Sequence, residues 1–222
     1  MPACLGIEVD RLTKRFGAVE VLSGLSLSVS RGEAVALLGE NGSGKTTLLR
    51  ILAGVLLPDS GLAVVGGHDI IKDERRARAA TGFLSSRENS WQQRLTGREN
   101  LEFFAALVGY RRRPARDRAR ELLGAVGLAA DGDRDVRAYS SGMRQRLSLA
   151  RVLLARPAVL LLDEPERSLD EAGRSMLREY VAEHLAADGS ALIATHATDV
   201  ATDWCDRAFA LPLSESLATQ RR

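Results

Sequence analysis

Gly39-Glu40-Asn41-Gly42-Ser43-Gly44-Lys45-Thr46 reads G-x-x-x-x-G-K-[ST], the spacing of a phosphate-binding loop. An apolar run, Ala34-Val35-Ala36-Leu37-Leu38, leads into it, and Thr47-Leu48-Leu49-Arg50-Ile51-Leu52 continues as a helix. Strand, glycine loop and helix is the setting in which this spacing carries meaning. Gly39, Gly42 and Gly44 let the backbone curl so that successive N–H groups face an anion. The helix adds the positive end of its dipole. In such a loop Lys45 reaches the β- and γ-phosphates, and the Thr46 hydroxyl ligates Mg²⁺.

Two further apolar runs end in reactive side chains. Ala158-Val159-Leu160-Leu161-Leu162 enters Asp163-Glu164-Pro165, and Ala191-Leu192-Ile193-Ala194-Thr195 ends at His196. Unbroken apolar strands belong in the centre of a parallel sheet covered on both faces. Ligands of such sheets sit beyond the carboxyl ends of the strands. Asp163 is therefore expected to hold Mg²⁺ through its water shell, since Mg²⁺ gives up water reluctantly. Glu164 is placed to polarise an attacking water, and His196 to donate a hydrogen bond to the γ-phosphate. A helix N-cap pair is the bland alternative for Asp163-Glu164.

The rest of the chain frames this core. Ile7-Glu8-Val9 and Leu25-Ser26-Leu27-Ser28-Val29 alternate, so residues 5 to 30 are expected to form strands. Between them Phe16 is either a packed hairpin residue or a flat platform for adenine. Pro58-Asp59-Ser60-Gly61 reads as a turn, Leu62 to Gly67 as a short strand, and His68 as a surface histidine without a site role. Thr81-Gly82-Phe83-Leu84 reads as a buried strand, and Ala208-Phe209-Ala210-Leu211 as a last one. Residues 87 to 138 turn to helical spacing, with Leu101, Phe104, Ala105 and Val108, then Leu122, Leu123 and Val126. They predict an inserted helical subdomain, about 87–140. Arg111-Arg112-Arg113-Pro114 is expected at a solvated loop or helix boundary, with contact to lipid head groups or a partner as the alternative. Met143, Leu147, Ala150 and Leu154 share one helix face that stops near Pro157. The tail from Ser214 to Arg222 has little to order it.

Composition narrows the classes. The 222 residues suit one large domain, or one domain with a subdomain. A net charge of +2 argues against nucleic acid as a partner, and lysine occurs only at positions 14, 45 and 72. Cys4 and Cys205 make neither a disulfide framework nor a zinc pattern, which fits a reducing compartment. The N-terminus lacks a signal-peptide layout, and no apolar run approaches the roughly 18 residues of a membrane span. A role at a membrane would therefore be peripheral. A guanine-nucleotide switch is disfavoured because no N-K-x-D motif occurs.

Tyr139-Ser140-Ser141-Gly142-Met143-Arg144-Gln145-Arg146-Leu147 resembles the signature motif of the ATP-binding cassette (ABC) ATPases. The usual form is L-S-G-G-Q, and the resemblance runs in the right order through nearly the whole chain. It implies one cassette over residues 5–215, with 216–222 as a disordered tail. The implied fold is an α/β P-loop NTPase core with an N-terminal antiparallel β subdomain and the helical insertion. By the same resemblance, Phe16 falls at the loop that stacks on adenine, Ser168-Leu169-Asp170 at the D-loop and His196 at the switch histidine. ATP would be held by Phe16 and by Gly39, Glu40, Asn41, Gly42, Ser43, Gly44, Lys45, Thr46 and Thr47, with Mg²⁺ on Thr46 and Asp163. Glu164 and His196 would act in hydrolysis.

The family docks two cassettes head to tail, so Ser140, Ser141, Gly142 and Met143 would act on the ATP of a facing copy or close relative. A homodimer or heterodimer is thus implied. So is a separate transmembrane permease subunit at the cytoplasmic face of the plasma membrane, docked on the 86 to 104 region, with Trp91 as a candidate contact or else a local packing residue. Ser86 stands where the family usually places a glutamine that touches Mg²⁺. Arg94-Leu95-Thr96-Gly97-Arg98-Glu99-Asn100-Leu101 resembles the cassettes of bacterial exporters. The competing function is a soluble cassette ATPase acting on ribosomes or nucleic acid. Such proteins usually carry two cassettes or coiled-coil insertions, and this chain has neither.

Overall fold

The computed structural model describes residues 5–85 and 91–211. Ser86, Cys4 and the tail from Ser214 lie outside the described residues. In chain order the elements begin with β1 (Leu5–Phe16), β2 (Val19–Ser30), β3 (Ala34–Leu38), α1 (Lys45–Leu52), β4 (Ser60–Val65) and β5 (His68–Asp69). Next come α2 (Glu74–Ala80), β6 (Thr81–Leu84), α3 (Gly97–Leu107), α4 (Arg112–Ala125) and α5 (Ser141–Val152). The chain closes with β7 (Val159–Asp163), α6 (Glu171–Ala186), β8 (Ser190–Ala194), α7 (Thr198–Asp203) and β9 (Arg207–Ala210). They fall into two compact units, residues 84–156 with 165–180, and the remainder.

The first unit holds two sheets. β1 pairs antiparallel with β2 and β4, and β5 extends the order to β2-β1-β4-β5. The alternation along β1 and β2 turns Ile7, Val9, Leu12, Leu25, Leu27 and Val29 inward. β4 begins at Ser60, inside the stretch expected to be a turn, and ends at Val65. Gly61 permits the early start. Its φ is +93°, and a Cβ there would sit 2.5 Å from the Arg11 carbonyl oxygen, so β1 and β4 approach where only glycine fits. Gly66 and Gly67 turn the chain into β5, where His68 is half-buried with Nδ1 3.0 Å from Asp73.

The second sheet has the order β6-β7-β8-β3-β9. β3 runs parallel to β8 and β9, and β7 parallel to β8. All five residues of β7 and of β8 are buried, as their unbroken apolar runs require. Leu48, Leu49 and Ile51 of α1 are fully buried in the same core as Leu37, Leu161 and Leu192. The register pairs Asp163 with Ala194, and Leu37 with Ala194, so β3, β7 and β8 all finish at one edge of the sheet.

The second unit is helical, containing α3, α4, α5 and the first part of α6. The segment Arg94 to Leu101 proves to be a folding device. Thr96 caps α3 in a reciprocal box with Glu99. Buried Asn100 donates to the carbonyls of Gln92, Leu95 and Thr96 and accepts from the Gln92 N–H. Gly97 leaves room for the Tyr139 hydroxyl, which a Cβ would approach to 2.2 Å. Trp91 is a packing residue: it is buried, meets Phe104 edge-on at 5.6 Å, and donates from Nε1 to Ser148 Oγ at 3.2 Å. Its expected alternative role as a surface contact is corrected by that burial.

Candidate nucleotide-binding site

β3 ends at Leu38, and the loop 39–44 delivers the chain to α1 at Lys45. Gly42 and Gly44 have φ of +88° and +100°. A Cβ on Gly44 would come within 3.0 Å of the Val21 carbonyl oxygen, so glycine is required there on both counts. The Lys45 ammonium donates to the carbonyls of Gly39 at 2.6 Å and Glu40 at 3.0 Å. Burial lowers the Lys45 pKa, while Glu164 and Asp163 oppose that shift by favouring the charged form. Ser43 is buried, and its Oγ has no hydrogen-bond partner. A buried hydroxyl left over inside a ring of curled amides fits an anion ligand, as the phosphates of ATP would supply.

Next to the loop, the Thr46 hydroxyl lies 3.2 and 3.1 Å from the two carboxylate oxygens of Asp163, itself only 2% exposed. A hydroxyl and a buried carboxylate on neighbouring elements form the hard oxygen donor set that suits Mg²⁺. Glu164 follows at once but bends away from β7. Its φ is +49°, and its N–H donates to the Ala194 carbonyl at 2.8 Å. The Glu164 Oε1 is 3.7 Å from Nε2 of His196. Phe16, the last residue of β1, is 50% exposed, with the Lys14 ammonium 5.5 Å from its ring centroid. Phe16, Asn41, Gly42, Gly44, Lys45, Thr46, Thr47, Asp163, Glu164 and His196 all line one cleft of about 350 Å³.

That cleft gathers the aromatic, both carboxylates, the histidine and five residues of the phosphate loop, while Gly39, Glu40 and Ser43 stand outside its lining. Val21 lines it as well, and nothing in an isolated β-branched residue could have announced that.

The signature residues belong to the helical unit. Ser140 caps α5, its Oγ accepting from the Met143 N–H at 3.1 Å, and Ser140 and Ser141 are both exposed. Behind them α5 rests on residues 165–170. A Cβ on Gly142 would lie 2.8 Å from the Ser168 carbonyl oxygen, and Ser168 itself has φ of +64°. Gln145 donates to the Pro165 carbonyl at 3.2 Å, and Arg146 pairs with Asp170. The Gly173 N–H bond, then the Arg146 guanidinium, hold the Asp170 carboxyl below its usual range. Gln145 and Arg146 had no role in the sequence reading, although both sit inside the quoted motif.

Known proteins resemble this chain in sequence and fold. The family model described as ABC transporter matches residues 22–167. A daunorubicin resistance ATP-binding protein of Streptomyces coeruleorubidus is 41% identical over 90% of this chain and 63% of its own length. A Nod factor export ATP-binding protein of Ralstonia nicotianae is 39% identical over 90% of this chain and 62% of its own. This chain thus spans less than two thirds of either relative. A sulfate/thiosulfate import ATP-binding protein of Synechococcus elongatus stands at 38% over 91% of this chain and 59% of its own. Among solved structures, a dimeric ATP-binding cassette in a post-hydrolysis state, bound to ADP and Pi, superposes with a TM-score of 0.83 at 25% identity, covering 92% of this chain and 94% of that one. The chain belongs to the ATP-binding cassette transporter family.

Proposed function

We propose that this chain is the ATP-binding and hydrolysing subunit of a transporter and energises export through a separate transmembrane subunit. One observation carries the reading: the phosphate loop, Asp163, Glu164, His196 and Phe16 line a single cleft. Phe16 stacks on adenine, and the loop amides with Lys45 hold the phosphates. Thr46 and Asp163 hold Mg²⁺, which when bound neutralises phosphate charge. Glu164 takes a proton from the attacking water, and His196 donates to the γ-phosphate.

The exposed hydroxyls of Ser140 and Ser141, at the N-terminus of α5, serve the ATP of a facing copy. The dimeric relative bound to ADP and Pi supports that role. Export is supported by the drug-resistance and Nod factor relatives, while the import relative of similar identity makes transport direction a matter for reconstitution with the partner permease. Among the described residues no helix is long and apolar enough to cross a membrane, consistent with a peripheral place on the cytoplasmic face.

Glu164→Gln tests the core of the reading. It should lower ATP turnover by at least about 100-fold, keep nucleotide binding, and shift the chain to a dimer on gel filtration with MgATP. Turnover near the wild-type rate would remove Glu164 as the base.

A further inference from the structure

We propose that the α3–α4 turn is a membrane-surface contact for anionic phospholipid: exposed Leu107 and Val108 seat at the head-group boundary while Arg111, Arg112 and Arg113 pair with lipid phosphates. The charge is concentrated there. Between residues 106 and 120 stand arginines 111, 112, 113, 116, 118 and 120 against one acid, Asp117, in a chain whose net charge is only +2. Arg116 is matched by Glu102 at 3.5 Å, and Arg118 by Glu121. Arg111, Arg112 and Arg113 are exposed, and among the described residues they form no ion pair.

Two large aliphatic side chains stand beside them, Leu107 at 68% and Val108 at 51% exposure. The turn has a fixed shape. Gly109, at φ of +101°, ends α3, and the Tyr110 hydroxyl donates to the Leu154 carbonyl at 3.0 Å. The exposed basic and apolar residues therefore lie within one short, anchored turn.

That pairing selects the occupant. A nucleic acid would use the guanidinium groups but leave the aliphatic side chains in water. An anionic bilayer surface takes both, burying alkyl groups at the head-group boundary and attracting the arginines electrostatically. The inference does not rest on the transport reading, since bare vesicles contain no permease.

The test is co-sedimentation of the full chain with vesicles of phosphatidylcholine alone, or with about one third phosphatidylglycerol. Binding is expected only to the anionic vesicles and should fall sharply in about 0.5 M salt. Replacing Arg111, Arg112 and Arg113 together by serine should weaken it on the order of 100-fold. Leu107→Ser with Val108→Ser should weaken it about tenfold. Both variants change exposed positions and should keep the lipid-free ATP turnover of the parent, which confirms that they fold. Equal binding to neutral vesicles, or unchanged binding by the arginine variant, overturns the proposal. Unchanged vesicle binding by the aliphatic variant, together with equal retention of duplex DNA, also overturns it and reassigns the patch to polyanions in general.

Discussion

The Thr46 hydroxyl and the Asp163 carboxylate, 117 positions apart in sequence, meet at 3.1 Å. Their hydrogen bond preorganises two oxygen donors, so the proposed metal role can be separated from folding. Asp163→Asn keeps the shape and a bond to Thr46 but removes the charge. We expect it to raise the Mg²⁺ concentration needed for binding of a fluorescent ATP analogue by roughly 10- to 100-fold. Thr46→Ala should act in the same direction. An unchanged Mg²⁺ requirement in both would move the metal elsewhere.

Phe16 offers a cleaner separation because half of its surface is already in water. Phe16→Ala should leave the melting temperature nearly unchanged. It should weaken ATP affinity by about tenfold, since loss of one stacking partner costs about 1–3 kcal/mol. Phe16→Tyr should restore affinity. Calorimetric titration decides between this and a packing role, in which the Ala variant would lose stability and not affinity.

Much of this was legible in the chain. The runs before Gly39, Asp163 and His196 are apolar without interruption, and such runs have one comfortable place, the middle of a parallel sheet. Their three ends therefore fell together. What periodicity could not show was long-range company. Trp91, among polar neighbours, could be read as a contact or as packing, because its partner Ser148 is 57 positions away. Gly61 looked like a turn residue because its proximity to Arg11 depends on how β1 and β4 pair. Arg146 reads as one more arginine until Asp170 is brought beside it.

Gly142 tests the packing of α5 on the segment that follows Pro165. A methyl group there meets the Ser168 carbonyl oxygen at 2.8 Å, a backbone atom unable to swing aside. Gly142→Ala should cost about 1–3 kcal/mol in urea unfolding and lower ATP turnover. Equal stability would show that α5 can shift freely there, and would weaken the link between the signature and Ser168.

Burial, then the neighbouring Asp206, push the Cys205 thiol from 9.0 up to about 12. Alkylation needs the thiolate. At pH 8 the folded chain should label at Cys205 with iodoacetamide about 1,000-fold more slowly than an unshifted thiol, because three pH units separate the two values. Peptide-resolved mass spectrometry reads the rate. Rapid labelling of the folded protein at pH 8 would contradict the burial.

Glu164 occupies left-handed backbone that an L-residue pays about 1–2 kcal/mol to adopt, with its N–H tied to Ala194. A chain chosen only for durability would put glycine at 164. The carboxylate therefore survives there against the local conformational preference. A redesign that weighed backbone strain alone would choose glycine there and remove the carboxylate proposed to act on the attacking water.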